Sequence, residues 1–81
     1  MAKKGTHADD DLPRVLAENV KRLRLKAGLT QQELSHRCGL HLHYVQRLET
    51  IVPNNPGLDS IIKVARGLHV TVIDLLTRKR I

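Results

Sequence analysis

Two stretches of this chain share one short grammar: an apolar residue, a threonine, and an acidic residue three positions later. They are Leu29-Thr30-Gln31-Gln32-Glu33-Leu34 and Val70-Thr71-Val72-Ile73-Asp74-Leu75. A threonine in this setting accepts the backbone N–H of the third helical residue. The acid at that position reaches back to the threonine's own N–H, and the flanking apolar residues close over the turn as a staple. Each stretch therefore starts a helix, one from Thr30 to about Arg37 and one from about Val72 to Thr77. Between them, Gly39 supplies a turn, and Leu40 with Val45 can staple a further helix from about His41 to Glu49, with Val45 and Leu48 inward.

The remaining segments follow the same logic. From Leu12 to Ala27 the apolar residues Leu12, Leu16, Val20, Leu23 and Ala27 recur at helical spacing and form one stripe. Asp11 can cap this helix, Pro13 is tolerated in its first turn, and Gly28 ends it; Leu25 points away from the stripe. Thr50 to Gly57 holds two Pro, two Asn and a Gly, so it reads as a loop. A helix from about Leu58 to Leu68 turns Leu58, Ile61, Ile62, Ala65 and Leu68 inward. The only β-like run, Val70-Thr71-Val72-Ile73, is too short to build a sheet. The reading is all-α, with five short helices.

A chain of 81 residues makes a single domain with a thin core. It has one Tyr and no Phe or Trp, so that core is aliphatic. The same scarcity argues against readers of single-stranded nucleic acid, which stack bases on aromatic rings. A net charge of +6 favours polyanionic partners. A lone cysteine, Cys38, excludes an internal disulfide and suits a reducing compartment. No apolar run approaches the roughly 18 residues that span a bilayer, and the start of the chain shows no secretory signal. These features lead to the expectation of a cytoplasmic protein without membrane contact. Its parts are a disordered N-terminal arm over 1–10, one domain over 11–78 and a basic tail over 79–81; the run Arg78-Lys79-Arg80 puts positive charge where it suits a helix C-terminus.

Two short helices joined at Gly39 make the geometry of a helix-turn-helix, with Ser35 small enough for the helices to cross. Over about residues 12–77, in LRLKAGLTQQELSHRCGL, YVQRLE and NPGLDSIIKVARGLHV, the chain resembles the Cro/CI-type (XRE-like) helix-turn-helix transcription regulators of phages and bacteria. That group includes phage-type repressors and the controller proteins of restriction–modification systems; GLHLHYV is somewhat similar to the latter. The resemblance implies a lambda-repressor-like five-helix fold and binding of double-stranded DNA as a homodimer. It makes residues 41–49 the recognition helix, with Leu42, His43, Gln46 and Arg47 against base edges. Arg suits guanine O6/N7, Gln suits adenine N6/N7, and Leu suits a thymine methyl. Phosphate contacts are expected from Thr30, Gln31, His41, Thr50, Asn54 and Asn55. The resemblance also pairs Arg24 with Glu49 in a partly buried salt bridge, and dimerisation is expected through Val72, Ile73, Leu76 and Ile81.

The chain departs from the family pattern in two places. The loop after Glu49 lacks the usual basic residues, so backbone N–H groups and Asn54 or Asn55 must stand in for them. His69 takes a position usually held by Gly, and a side chain there tolerates left-handed backbone less well. On helix one, Glu18 lies within pairing distance of Lys21 and Arg22, so a solvated face explains those cations at least as well as phosphate contact. Cys38, His36, His41 and His43 lack metal-ligand spacing, so no metal is expected. No cofactor is expected either, and nothing assembles a catalytic site. The competing function is an antitoxin-type module that neutralises a protein toxin and regulates its own promoter.

Overall fold

The computed structural model describes residues 12–50 and 56–78. These form five helices and, among the described residues, no strand: α1 Leu12–Lys26, α2 Gln31–Cys38, α3 Leu42–Leu48, α4 Leu58–Leu68 and α5 Val72–Leu76. The arm expected over 1–10, the cap at Asp11, the loop residues Ile51, Val52, Asn54 and Asn55, and the tail 79–81 with Ile81 lie outside the described residues.

Both capping boxes are formed. The Thr30 hydroxyl oxygen accepts from the Glu33 N–H at 3.0 Å, and the Thr30 N–H donates to Glu33 Oε1 at 2.8 Å. Thr71 and Asp74 repeat the pattern at 3.0 Å each way. The Thr71 backbone N–H, and after it the Thr71 hydroxyl, hold the Asp74 carboxyl below the ordinary carboxylate range. The sign follows: the carboxylate's contribution is present at neutral pH and is lost as pH falls through that lowered value.

Three helix ends share one three-residue joint. Gly28, Gly39 and His69 all lie in the left-handed region, with φ of 75°, 70° and 59°. After each, an apolar residue sends its N–H back five positions: Leu29 to Arg24 at 3.1 Å, Leu40 to Ser35 at 3.0 Å and Val70 to Ala65 at 2.9 Å. This is the Schellman closure, in which the residue after the left-handed one satisfies an orphan carbonyl. Leu29, Leu40 and Val70 also pack on the core. Each is followed at once by the N-cap of the next helix, Thr30, His41 or Thr71. One apolar side chain thus ends one helix and anchors the start of the next, which sets tight turns at α1–α2, α2–α3 and α4–α5.

The core is aliphatic: Leu16, Val20, Leu34, Val45, Leu48, Val64, Ala65, Leu68 and Leu75 are buried together, with Cys38 beside them. α1 lies chiefly against α5, while α2 packs on α3 and α4. The helices bury more than the narrow stripes drawn from spacing. On α1, Leu12 and Ala27 are exposed because they sit at the two ends of the helix, and Val15, Ala17 and Asn19 are buried instead. On α4, Leu58 is 65% exposed at the first helical position, Ile62 is half-buried, and Val64 takes the inner place. α3 is one residue shorter at each end than its expected span, since His41 and Glu49 serve as its caps. α5 stops at Leu76, because Thr77 is extended.

Gly67 lets α4 pack directly on the end of α2. A Cβ placed there would lie 2.5 Å from Cys38 Sγ and 3.5 Å from the Arg37 Cβ. Ordinarily Gly→Ala within a helix stabilises by about 0.5–1 kcal/mol. Here overpacking reverses the sign, and Gly67→Ala is expected to destabilise by about 1–3 kcal/mol in urea unfolding. Adding Cys38→Ala, which removes the sulfur, should restore most of that loss; an unchanged deficit in the double variant would refute the contact.

Candidate nucleic-acid interface

α2, the Gly39 turn and α3 form the helix-turn-helix. Val45 and Leu48 anchor α3 in the core, and Ser35 is buried where α2 is crossed, its hydroxyl donating to the Gln32 carbonyl at 2.6 Å. With Val45 inward, the opposite side of α3 turns to solvent. His43, Gln46 and Arg47 are exposed and Leu42 is half-buried. His41, at the N-cap, is exposed, and its side chain makes no capping bond. A shallow hollow of about 510 Å³ is lined by His41, Leu42, His43, Tyr44 and Arg47.

Tyr44 was not among the expected site residues, yet it is half-buried and packed against the core edge while lining that hollow. It also borders a second hollow of about 350 Å³ with Gly39, Leu40, His41 and Ser60, where α3 meets the start of α4. As the chain's single aromatic side chain, in the middle of α3, it carried a compositional signal.

The angle of α3 is fixed by a buried polar network. Arg24 Nε donates to Glu49 Oε2 at 2.6 Å and Nη2 donates to Oε1 at 3.1 Å. Arg24 Nη1 donates to the Leu29 carbonyl at 2.7 Å, and Gln31 Nε2 donates to Glu49 Oε1 at 3.0 Å. The two charged side chains are only 9% and 4% exposed. The Glu49 carboxylate therefore ties the end of α3 to α1 and the start of α2, and Arg24 extends the network to the first joint. The bidentate fork geometry is the strong form of this pair.

The expected phosphate ligands are placed as follows. Thr30 is exposed, with its oxygen accepting the Glu33 N–H. Gln31 is half-buried, one amide hydrogen committed to Glu49. The Thr50 hydroxyl donates to the Arg47 carbonyl at 2.7 Å, so it is turned back on its own helix. On α1, Lys21 and Lys26 are exposed, and Arg22 Nη2 donates to Asn19 Oδ1 at 3.1 Å rather than to Glu18. At the other end of the molecule, Ile73 is 74% exposed, with Val72 and Leu76 half-buried beside it.

Among the described residues no three potential ligands cluster to hold a metal. Burial pushes the Cys38 thiol up, which favours its protonated form. No helix among the described residues is long and apolar enough to cross a membrane.

The helix-turn-helix family model HTH_3 matches residues 20–75, which covers α2 and α3 and most of the core. The chain belongs to the XRE-type helix-turn-helix family. Its relatives are DNA-binding transcription regulators. The control protein C.SmaI of Serratia marcescens is 36% identical over 69 residues, covering 85% of this chain and 81% of that one. A hypothetical transcription factor of Neisseria meningitidis is 38% identical, covering 84% of this chain and 63% of its own length. The crystal structure of the hypothetical transcription factor NHTF from Neisseria superposes on this chain with a TM-score of 0.79 at 38% identity, covering 85% of this chain and 78% of that one. The chain therefore shares the helix-turn-helix fold of that structure.

Proposed function

We propose that this regulator reads a specific double-stranded DNA sequence, with α3 in the major groove, and acts as a homodimer on an operator of two half-sites. One observation carries the reading. Glu49, at the end of α3, is locked by Arg24 and Gln31, while the outward face of the same helix leaves His43, Gln46 and Arg47 in solvent. A rigidly held helix with exposed donors and acceptors is what base-edge recognition needs. Leu42 on the flank suits a thymine methyl. Phosphate contacts from Thr30, Gln31 and His41 would fix the register of α3, and the N–H groups of α2's first turn add to them. The likeness to C.SmaI supports a regulator of the control-protein kind.

Two copies joined through Val72, Ile73 and Leu76 would read half-sites about 34 Å apart on one face of the duplex. The affinity should fall steeply with salt, with a log–log slope of about −0.9 for each phosphate neutralised. Fluorescence anisotropy across a salt series measures this directly. A slope of several units is expected, and a slope near zero would overturn direct DNA binding.

A further inference from the structure

With Val45 and Leu48 turned into the core, His43 and Arg47 lie one turn apart on the opposite side of α3, and both are exposed. The two side chains line the same hollow, together with His41, Leu42 and Tyr44. This face therefore pairs a group that is always charged with a residue of the type whose charge changes near neutral pH.

Among the described residues, no carboxylate lines that hollow. The elements around α3 are α1, α2 and the start of α4, and their acids are engaged elsewhere. Glu49, at the end of α3, faces Arg24 of α1 and Gln31 of α2. Glu33 of α2 accepts the Thr30 N–H. Asp59, at the start of α4, is 3.4 Å from Lys63. The remaining titratable or charged neighbours are His36 and Arg37 in the last turn of α2, with His41 and Tyr44 beside the hollow itself. The group that answers a charge on His43 therefore comes from outside the protein.

The two forms of an imidazole suit different base edges. The neutral ring has one donor and one acceptor; the protonated ring has two donors and no acceptor. In the major groove guanine offers two acceptors, N7 and O6, whereas adenine sets an N6 amino donor beside N7, and cytosine shows an N4 amino donor. A protonated ring matches guanine and is opposed by those amino groups. A neutral ring can also accept from them.

We infer that His43 is a proton-dependent specificity residue: as pH falls it selects guanine at the base pair it faces, and the regulator's choice of duplex shifts with it. The inference rests on the major-groove reading above and deepens it. A guanine edge favours the protonated ring, so binding takes up a proton, and affinity for the guanine-bearing site rises as pH falls. His41 is the internal contrast. It stands exposed at the N-cap without a capping bond, and a phosphate is its expected partner. A proton on His41 strengthens binding to every duplex alike, whereas a proton on His43 changes which duplex is preferred.

Selection of a randomised duplex library by the full chain at about pH 8 and about pH 6, followed by anisotropy titrations of duplexes differing at single base pairs, tests this. One base pair of the enriched motif should shift towards guanine at the lower pH, its guanine-over-adenine affinity ratio rising about fivefold or more. His43→Gln keeps a donor and an acceptor but takes up no proton in this range, so its motif should be the same at both pH values. His41→Gln should weaken binding at the lower pH on all duplexes and leave the shift in place. Both positions are exposed, so the variants should fold as the parent does, which circular dichroism checks. A parent motif that does not change with pH overturns the role of His43. So does a shift that survives in His43→Gln or vanishes in His41→Gln. A folded parent that enriches no sequence at either pH overturns the DNA reading itself.

Discussion

Glu49→Ala is expected to cost about 3–5 kcal/mol of folding stability, a large share of what a domain of this size has. The substitution leaves the Arg24 guanidinium buried with only the Leu29 carbonyl for a partner, and it strips Gln31 of its acceptor. An unpaired buried charge is far more costly than the pair is stabilising. Replacing both partners with apolar residues of similar size, as in Arg24→Met with Glu49→Leu, should therefore recover most of the loss. Urea unfolding of the two single variants and the double variant measures this. A loss below about 1 kcal/mol for Glu49→Ala would mean that the pair behaves as a solvated surface bridge. The double variant should then separate stability from function. It folds, but α3 has lost the network that sets its angle, so its DNA affinity stays low.

Arg47→Ala should do the reverse. Arg47 is exposed, and losing an exposed side chain with its contacts should move stability by no more than about 1 kcal/mol. Binding to the preferred duplex should weaken by about 1–3 kcal/mol, and the preference at one base pair should relax. The distinction lies in which duplexes are affected. A bidentate contact to guanine is lost only where that guanine is present, whereas a phosphate contact is lost on every sequence. Competition titrations with single-base variants of the site decide between them, and a uniform loss would assign Arg47 to the backbone.

The parts of the fold legible from sequence are those set by local chemistry. Both threonine boxes and the Gly28 and Gly39 turns involve residues within five positions of each other, so reading them needs no knowledge of the fold. The left-handed His69 was legible as a departure, and the backbone adopts the strained conformation all the same, because Val70 must close the end of α4. What was not legible depends on packing between distant segments. Asn19 looks like an ordinary surface residue on α1, and the carbonyls its amide donates to, those of Asp74, Leu75 and Thr77, lie more than fifty positions along the chain. Gly67 is special only because Cys38 lies against it. Leu12 and Leu58 fit the helical stripes by spacing, yet the core ends before it reaches them. At the site, spacing alone marked the outward face of α3. The Arg24–Glu49 pairing came from family resemblance rather than from spacing, and the structure adds Gln31 to it.

The most direct test of sequence-specific duplex recognition is to select a fully randomised duplex library with the purified protein at moderate salt and sequence what is retained. Enrichment of a paired motif with half-sites one helical turn apart is the result this structure predicts. A folded protein that enriches no sequence would contradict it and turn the search to a protein partner of the antitoxin kind.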